Sequence, residues 1–107
     1  MMLAFCAIIK PTDEEAEQLE TLLTNVEDYV DGIFITITGK NKAVEDVAKK
    51  FKAHISYIEW EKDFAKARNY NFSQVPKEYD YILWADADDS FRGLHNLKEA
   101  IEIRLKF

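Results

Sequence analysis

"LAFCAIIKPTDEEAEQLETLLTNVEDYVDGIFITIT", residues 3–38, changes its hydrophobic period twice, and those two changes decide the fold. Residues 3–9 form a continuous apolar run suited to a strand buried on both faces. Beyond Pro11 the period becomes helical. Thr12 and Glu15 stand at capping-box spacing, and Ala16, Leu19, Leu22, Leu23, Val26 and Val30 recur on one face. Asp31-Gly32 then signals a turn, and residues 32–38, rich in β-branched and aromatic side chains, read as a second strand. A helix between two strands demands a crossover, and right-handed crossovers set the strands parallel in a sheet covered by helices.

The alternation continues outward. Val44, Val47, Ala48 and Phe51 predict a short amphipathic helix, with Lys49, Lys50 and Lys52 near its C-terminus, where they suit the helix dipole. "HISYIEW" (54–60) is a third strand, "FAKARNYNFSQV" (64–75) a third helix stopped by Pro76, and "YDYILWA" (79–85) a fourth strand. Leu94, Leu97, Ile101 and Leu105 define a last helix. The expected class is α/β: an open, mostly parallel sheet of about four strands with helices on both faces, Rossmann-like in outline.

The chain has 107 residues, 48% hydrophobic and 32% charged, the balance of one globular domain. A net charge of −6 disfavours nucleic-acid or anionic-membrane partners, because phosphate binding needs a basic face. The lone Cys6 excludes a disulfide framework within the chain and points to a reducing compartment, the cytoplasm. The apolar N-terminal run is short, lacks a basic flank and meets Lys10-Pro11, so it reads as a strand and not as a signal peptide. No apolar stretch approaches the roughly 20 residues needed to span a bilayer.

In open parallel sheets, ligands bind outside the carboxyl ends of the strands. Those ends carry Lys10-Pro11-Thr12, Thr38-Gly39-Lys40-Asn41, Glu59-Trp60 and Asp86-Ala87-Asp88-Asp89. The clustered carboxylates repel unless a cation offsets them, and Mg²⁺ or Mn²⁺ would do so, taking one or two of them together with ligand phosphates and water. Alternatively, Asp88, Asp89 and Ser90 cap the last helix and Asp86 is solvated. Neither G-x-G-x-x-G nor a P-loop occurs, so a metal-free phosphate cradle is not encoded. His54 and His95 are too isolated to form a zinc site, and Cys6 lies in an apolar run. In "WEKDFAKARN" (60–69), Phe64, Ala67 and Arg68 share a helical face; Phe64 is expected to anchor that helix in the core, with Arg68 either paired to a surface acid or serving the Asp cluster.

Residues 58–90, "IEWEKDFAKARNYNFSQVPKEYDYILWADADDS", resemble the middle of a family 2 glycosyltransferase of GT-A fold. Such sequences run from a strand through Trp and a spacer to Asp-Phe-Ala-x-Ala-Arg-Asn, a helix, and a strand ending in Asp-x-Asp-Glu. Trp60, Asp63, Phe64, Ala65, Ala67, Arg68, Asn69, Asp86 and Asp88 hold those places, with Asp89 for the Glu. The resemblance implies a single nucleotide-sugar-binding domain over 1–107, the N-terminal half of a longer transferase. It also implies the roles. Asp86 lies toward the ribose or metal-bound water, Asp88 coordinates Mg²⁺ or Mn²⁺ on the donor diphosphate, Arg68 approaches the base or diphosphate, and the loop at Ile9, Lys10 and Pro11 contacts the nucleoside through backbone.

Two departures accompany the likeness. Where the family has Asp-x-Gly-Ser-x-Asp after the second strand, this chain has "TITGKN", so Thr36 or Thr38 replaces the base-contacting acid; and Lys10-Pro11-Thr12 stands where Lys-Asn-Glu is common. The family's acceptor site and catalytic base follow the Asp-x-Asp strand, so these residues alone are expected to bind a nucleotide-diphosphate sugar and to transfer little or none of it. The alternative is a non-catalytic module that keeps the fold and uses it for protein association, with an open sheet edge available for pairing between chains.

Overall fold

A computed structural model describes residues 2–84 and, as backbone, the strand at residues 102–105. The strands are β1 (Leu3–Ile9), β2 (Gly32–Ile37), β3 (His54–Tyr57), β4 (Tyr81–Trp84) and β5 (Glu102–Leu105), and the helices are α1 (Asp13–Val26), α2 (Lys42–Lys50) and α3 (Phe64–Ser73). One sheet runs in the order β3-β2-β1-β4-β5. The first four strands are mutually parallel, as the crossovers require, with Cys6 opposite Phe34 on one side and Trp84 on the other. The chain therefore reverses its direction of growth between β1 and β4, a switch point of the kind at whose carboxyl ends open α/β sheets bind ligands.

β1 is central because its sequence can face apolar neighbours on both sides. Phe5, Ala7 and Ile9 pack with Leu19, Leu22, Leu23 and Val26 of α1, Val44 of α2 and the odd-numbered isoleucines of β2. Ala4 and Cys6 turn to the opposite layer with Phe34, Ile82 and Val75, flanked by Phe72, Tyr79 and Trp84. The period of two along β1 thus serves two helical layers at once. Buried leucines of this kind contribute about 1.5–3 kcal/mol each relative to exposure. α1 begins where expected, with Thr12 accepting the Glu15 amide at 3.1 Å, and ends in a 3₁₀ turn at Glu27–Tyr29.

Two expectations are corrected. The last helix, read through Leu105, does not extend over residues 102–105, which form β5 antiparallel to β4, with Trp84 opposite Glu102 and Tyr81 opposite Leu105. The sheet consequently gains a fifth strand. Phe64 does not anchor α3 in the core. It is 57% exposed and meets Trp60 edge-on at 4.9 Å, while Ala67 and Asn71, one and two turns on, are the inward residues. β3 is also shorter than "HISYIEW" suggested, ending at Tyr57, and β4 begins at Tyr81, two residues into "YDYILWA", whose last residue lies outside the described ones.

Candidate functional site

The carboxyl ends of β1 and β2 are locked to each other by a set of polar contacts. The Thr38 amide donates to the Ile9 carbonyl at 3.0 Å, and the Thr38 hydroxyl reaches the same oxygen at 3.5 Å. Asn41 caps α2 by accepting the Val44 amide at 3.0 Å, and its Nδ2 donates to the Pro11 carbonyl and to Asp13 Oδ1, both at 3.2 Å. Gly39 lies so close to Pro11 that a Cβ there would stand 2.9 Å from Pro11 Cγ. Glu15 accepts the Lys10 amide at 3.2 Å, and the Thr12 amide donates to the Lys10 carbonyl at 2.9 Å. The carboxylate arm of the capping box is thereby redirected from the cap residue to the loop itself. Lys10, Pro11 and Thr38, three of the predicted ligand residues, are brought together by these contacts, with the Lys10 side chain exposed.

Thr36 and Thr38, the two candidates for the missing acid, separate clearly. Thr36 is fully buried and committed inward: Asn71 Nδ2 donates to its hydroxyl at 2.8 Å and to the Phe34 carbonyl at 3.1 Å, and the Thr36 hydroxyl meets Ser56 Oγ at 2.9 Å. Thr38 remains at the edge.

Arg68 lies on the α3 side of the sheet. Its guanidinium carbon stands 4.0 Å from the centre of the Trp84 ring, at the carboxyl end of β4. The surface ion pair considered for it does not form with any acid among the described residues. Among the described residues, the buried Arg68 Nε, Trp84 Nε1 and Asn71 Oδ1 find no hydrogen-bond partner. Asp63, which opens the Asp-Phe-Ala stretch, caps α3 by accepting the Lys66 amide at 3.0 Å. At the end of β3, Lys40 sits 4.7 Å from the Tyr57 ring centre, and the Tyr57 hydroxyl donates to Glu45 at 2.7 Å. That hydrogen bond to a carboxylate raises the Tyr57 pKa above the ordinary tyrosine value, with desolvation and the Glu45 charge adding to it.

Asp86 and Asp88, the expected metal ligands, lie outside the described residues, as do Asp89, Ser90 and His95. Among the described residues no group of three or more His, Cys, Asp or Glu side chains is placed to hold a metal ion. His54 stacks on Phe34 at 4.7 Å and stands at the amino end of β3, away from the ligand edge. Cys6 is buried. No helix among the described residues is long and apolar enough to cross a membrane.

Asn41, Asn71 and Trp84 are the residues that sequence reasoning passed over. Asn41 carried a signal, since it precedes an amphipathic run by the spacing of an N-cap. Asn71 and Trp84 reveal themselves only through cross-element contacts.

Residues 7–102 match the family described as Glycosyl transferase family 2. Over 86 residues the chain is 31% identical to a TPR repeat-containing protein of Synechococcus elongatus; this covers 80% of the chain but 20% of that protein. Among solved structures, the glucosyl-3-phosphoglycerate synthase of Mycobacterium tuberculosis in complex with Mn²⁺ and uridine-diphosphate-glucose superposes with a TM-score of 0.64 at 12% identity, covering 81% of this chain and 33% of that one. The same enzyme with Mn²⁺, uridine-diphosphate and glucosyl-3-phosphoglycerate gives a TM-score of 0.61 at 13% identity. At such identities the likeness is one of fold.

Proposed function

The chain belongs to glycosyl transferase family 2, and from that premise we propose that residues 1–107 form one domain, the donor-binding N-terminal part of a longer transferase that moves a sugar from a nucleotide diphosphate to an acceptor. The observation that carries this reading is the family match itself, which runs from β1 through both "DFAKARN" and "DADD". The geometry supports it. The β1 and β2 loops are clamped together at the ligand edge, where the backbone of Lys10 and Pro11 and the hydroxyl of Thr38 would meet the nucleoside. Arg68, unmatched by any acid among the described residues, offers the cation for the base or diphosphate.

Asp86 and Asp88 would hold Mg²⁺ or Mn²⁺ in this reading. Bound there, the ion would offset the charge of the leaving diphosphate, and a base that activates an acceptor hydroxyl for direct displacement would give inversion. Acceptor binding and the catalytic base would come from chain beyond these residues, a division supported by the small share of each relative that the chain spans. The reaction is assigned to the cytoplasm, which the single, buried Cys6 supports.

The test is a titration of ¹⁵N-labelled protein with UDP and GDP, with and without Mg²⁺ or Mn²⁺. Metal-dependent shifts are expected at residues 86–90, at Arg68 and at Lys10 to Thr12, lost in Asp88→Asn, with no sugar transfer by residues 1–107 alone. Binding that is absent, or indifferent to metal and to Asp88→Asn, would remove the donor-site reading. Tight self-association without nucleotide binding would favour a non-catalytic association module instead.

A further inference from the structure

A guanidinium in a protein of net charge −6 ordinarily finds a carboxylate, yet Arg68 has none among the described residues and is held instead by an aromatic face. The 4.0 Å separation from the Trp84 ring is well inside the range of a cation–π contact. Its Nε is buried and finds no hydrogen-bond partner among the described residues, so the contact that orders the side chain there is the ring face. Trp84 is itself constrained. It is the last residue of β4, in register with Cys6 on the central strand, and it packs against the layer of Ala4, Cys6, Phe34 and Ile82. A rigid ring thus carries a flexible cation at the point where β4 reaches the ligand edge. Arg side chains lose considerable rotamer freedom when ordered, and a platform that orders one in advance removes that cost from ligand binding.

Resting on the donor-site reading above, we propose that Trp84 is a positioning residue: its indole face pre-orders Arg68 so that the terminal guanidinium nitrogens meet the diphosphate of the donor. The stack acts through Arg68 and makes no contact with the ligand. A purely structural Trp84, which only covers the apolar layer, would change stability without its effect depending on Arg68.

The experiment is calorimetric titration of the 107-residue chain with UDP, GDP and inorganic pyrophosphate in the presence of Mn²⁺, using the tightest of the three as probe. Trp84→Leu is expected to weaken that probe ~3- to 30-fold, the span of a cation–π contact converted to affinity. Trp84→Phe, which keeps a ring, is expected to recover most of the loss. In an Arg68→Ala background Trp84→Leu should weaken the probe no further, and an equal loss in both backgrounds overturns the proposal. Should Trp84→Leu fail to fold, Arg68→Lys gives the same answer from the helix side: it keeps the charge but not the planar stack, so undiminished affinity overturns the proposal. Without ligand, the Arg68 Nε–H resonance should lie upfield from the indole ring current and return toward its ordinary position in Trp84→Phe/Arg68 pairs only in part, in Trp84→Leu fully; no upfield shift in the native chain overturns the stack. A stacked Arg68 in a chain that binds none of the probes refutes the donor-site reading, whereas binding without coupling refutes the role of Trp84 alone.

Discussion

Asn71 and Thr36 should prove energetically coupled, and the direction of their hydrogen bonds fixes by how much. The Phe34 carbonyl can only accept, so the Asn71 atom facing it at 3.1 Å is the amide nitrogen, which also donates to Thr36 Oγ1 at 2.8 Å. The Thr36 proton is then free for Ser56 Oγ at 2.9 Å, and Ser56 can donate to the Ile35 carbonyl at 3.5 Å. A relay of donors therefore runs from α3 through β2 to β3, and at its head Asn71 Oδ1 is a buried acceptor with no partner among the described residues. Each bond contributes about 0.5–1.5 kcal/mol net, and a stranded group costs about 1–3 kcal/mol. Asn71→Leu loses two bonds, about 1–3 kcal/mol together, but removing the stranded oxygen returns about 1–3 kcal/mol, so its net effect is small. Thr36→Val leaves one Asn71 N–H without an acceptor and takes one partner from Ser56, which keeps the Ile35 carbonyl, at a cost of about 1–3 kcal/mol. In the double variant both ends become apolar, so the total should fall short of the sum by about 1 kcal/mol. Urea unfolding followed by circular dichroism measures this; in thermal scans the single variants should drop Tm by roughly 4–8 °C per kcal/mol. Additive effects within about 0.3 kcal/mol, or a neutral Thr36→Val, would refute the relay.

Two further outcomes follow from contacts already described. Gly32 opens β2 where a Cβ would stand 2.3 Å from the Tyr79 hydroxyl and 3.1 Å from Phe34 Cε1, so Gly32→Ala should cost about 1–3 kcal/mol of stability, and Tyr79→Phe should recover part of it in the same unfolding assay. Tyr57, through its bond to Glu45, and Tyr79, chiefly through desolvation, both have pKa values raised above the usual 10.0, so each adds stability below that value and loses it as pH rises through its own higher one. Ultraviolet titration of tyrosinate should show Tyr57 returning toward the ordinary range in Glu45→Gln; an unchanged titration would mean that the hydrogen bond is not its cause.

Most of the architecture was legible because burial on two faces and burial on one face leave different patterns. The apolar runs of β1 and β2 and the 3.6-residue stripes of α1 and α2 leave little room for another reading. The last strand escaped because Leu94, Leu97, Ile101 and Leu105 share helical spacing, although "EIRL" at 102–105 also alternates with period two, a signal too short to prevail. Phe64 misled because hydrophobicity says that a side chain favours contact but not with what; at the first turn of α3 it meets Trp60, four residues earlier, and stays exposed. At the site, Lys10, Pro11 and Thr38 could be grouped from the strand ends alone. The clamp by Asn41, the inward turn of Thr36 and the stacking of Arg68 on Trp84 depend on distances across 28 to 37 positions or between a helix and a strand, which a linear pattern does not encode.

The antiparallel pairing of Trp84 with Glu102 has one more consequence. It sets the last residue of β4 opposite the first of β5, a single strand spacing of about 5 Å apart. Because closing a longer span between two such fixed posts costs only about 0.6 kcal/mol per doubling of its length, the number of residues joining them can change with small effect on the pairing itself.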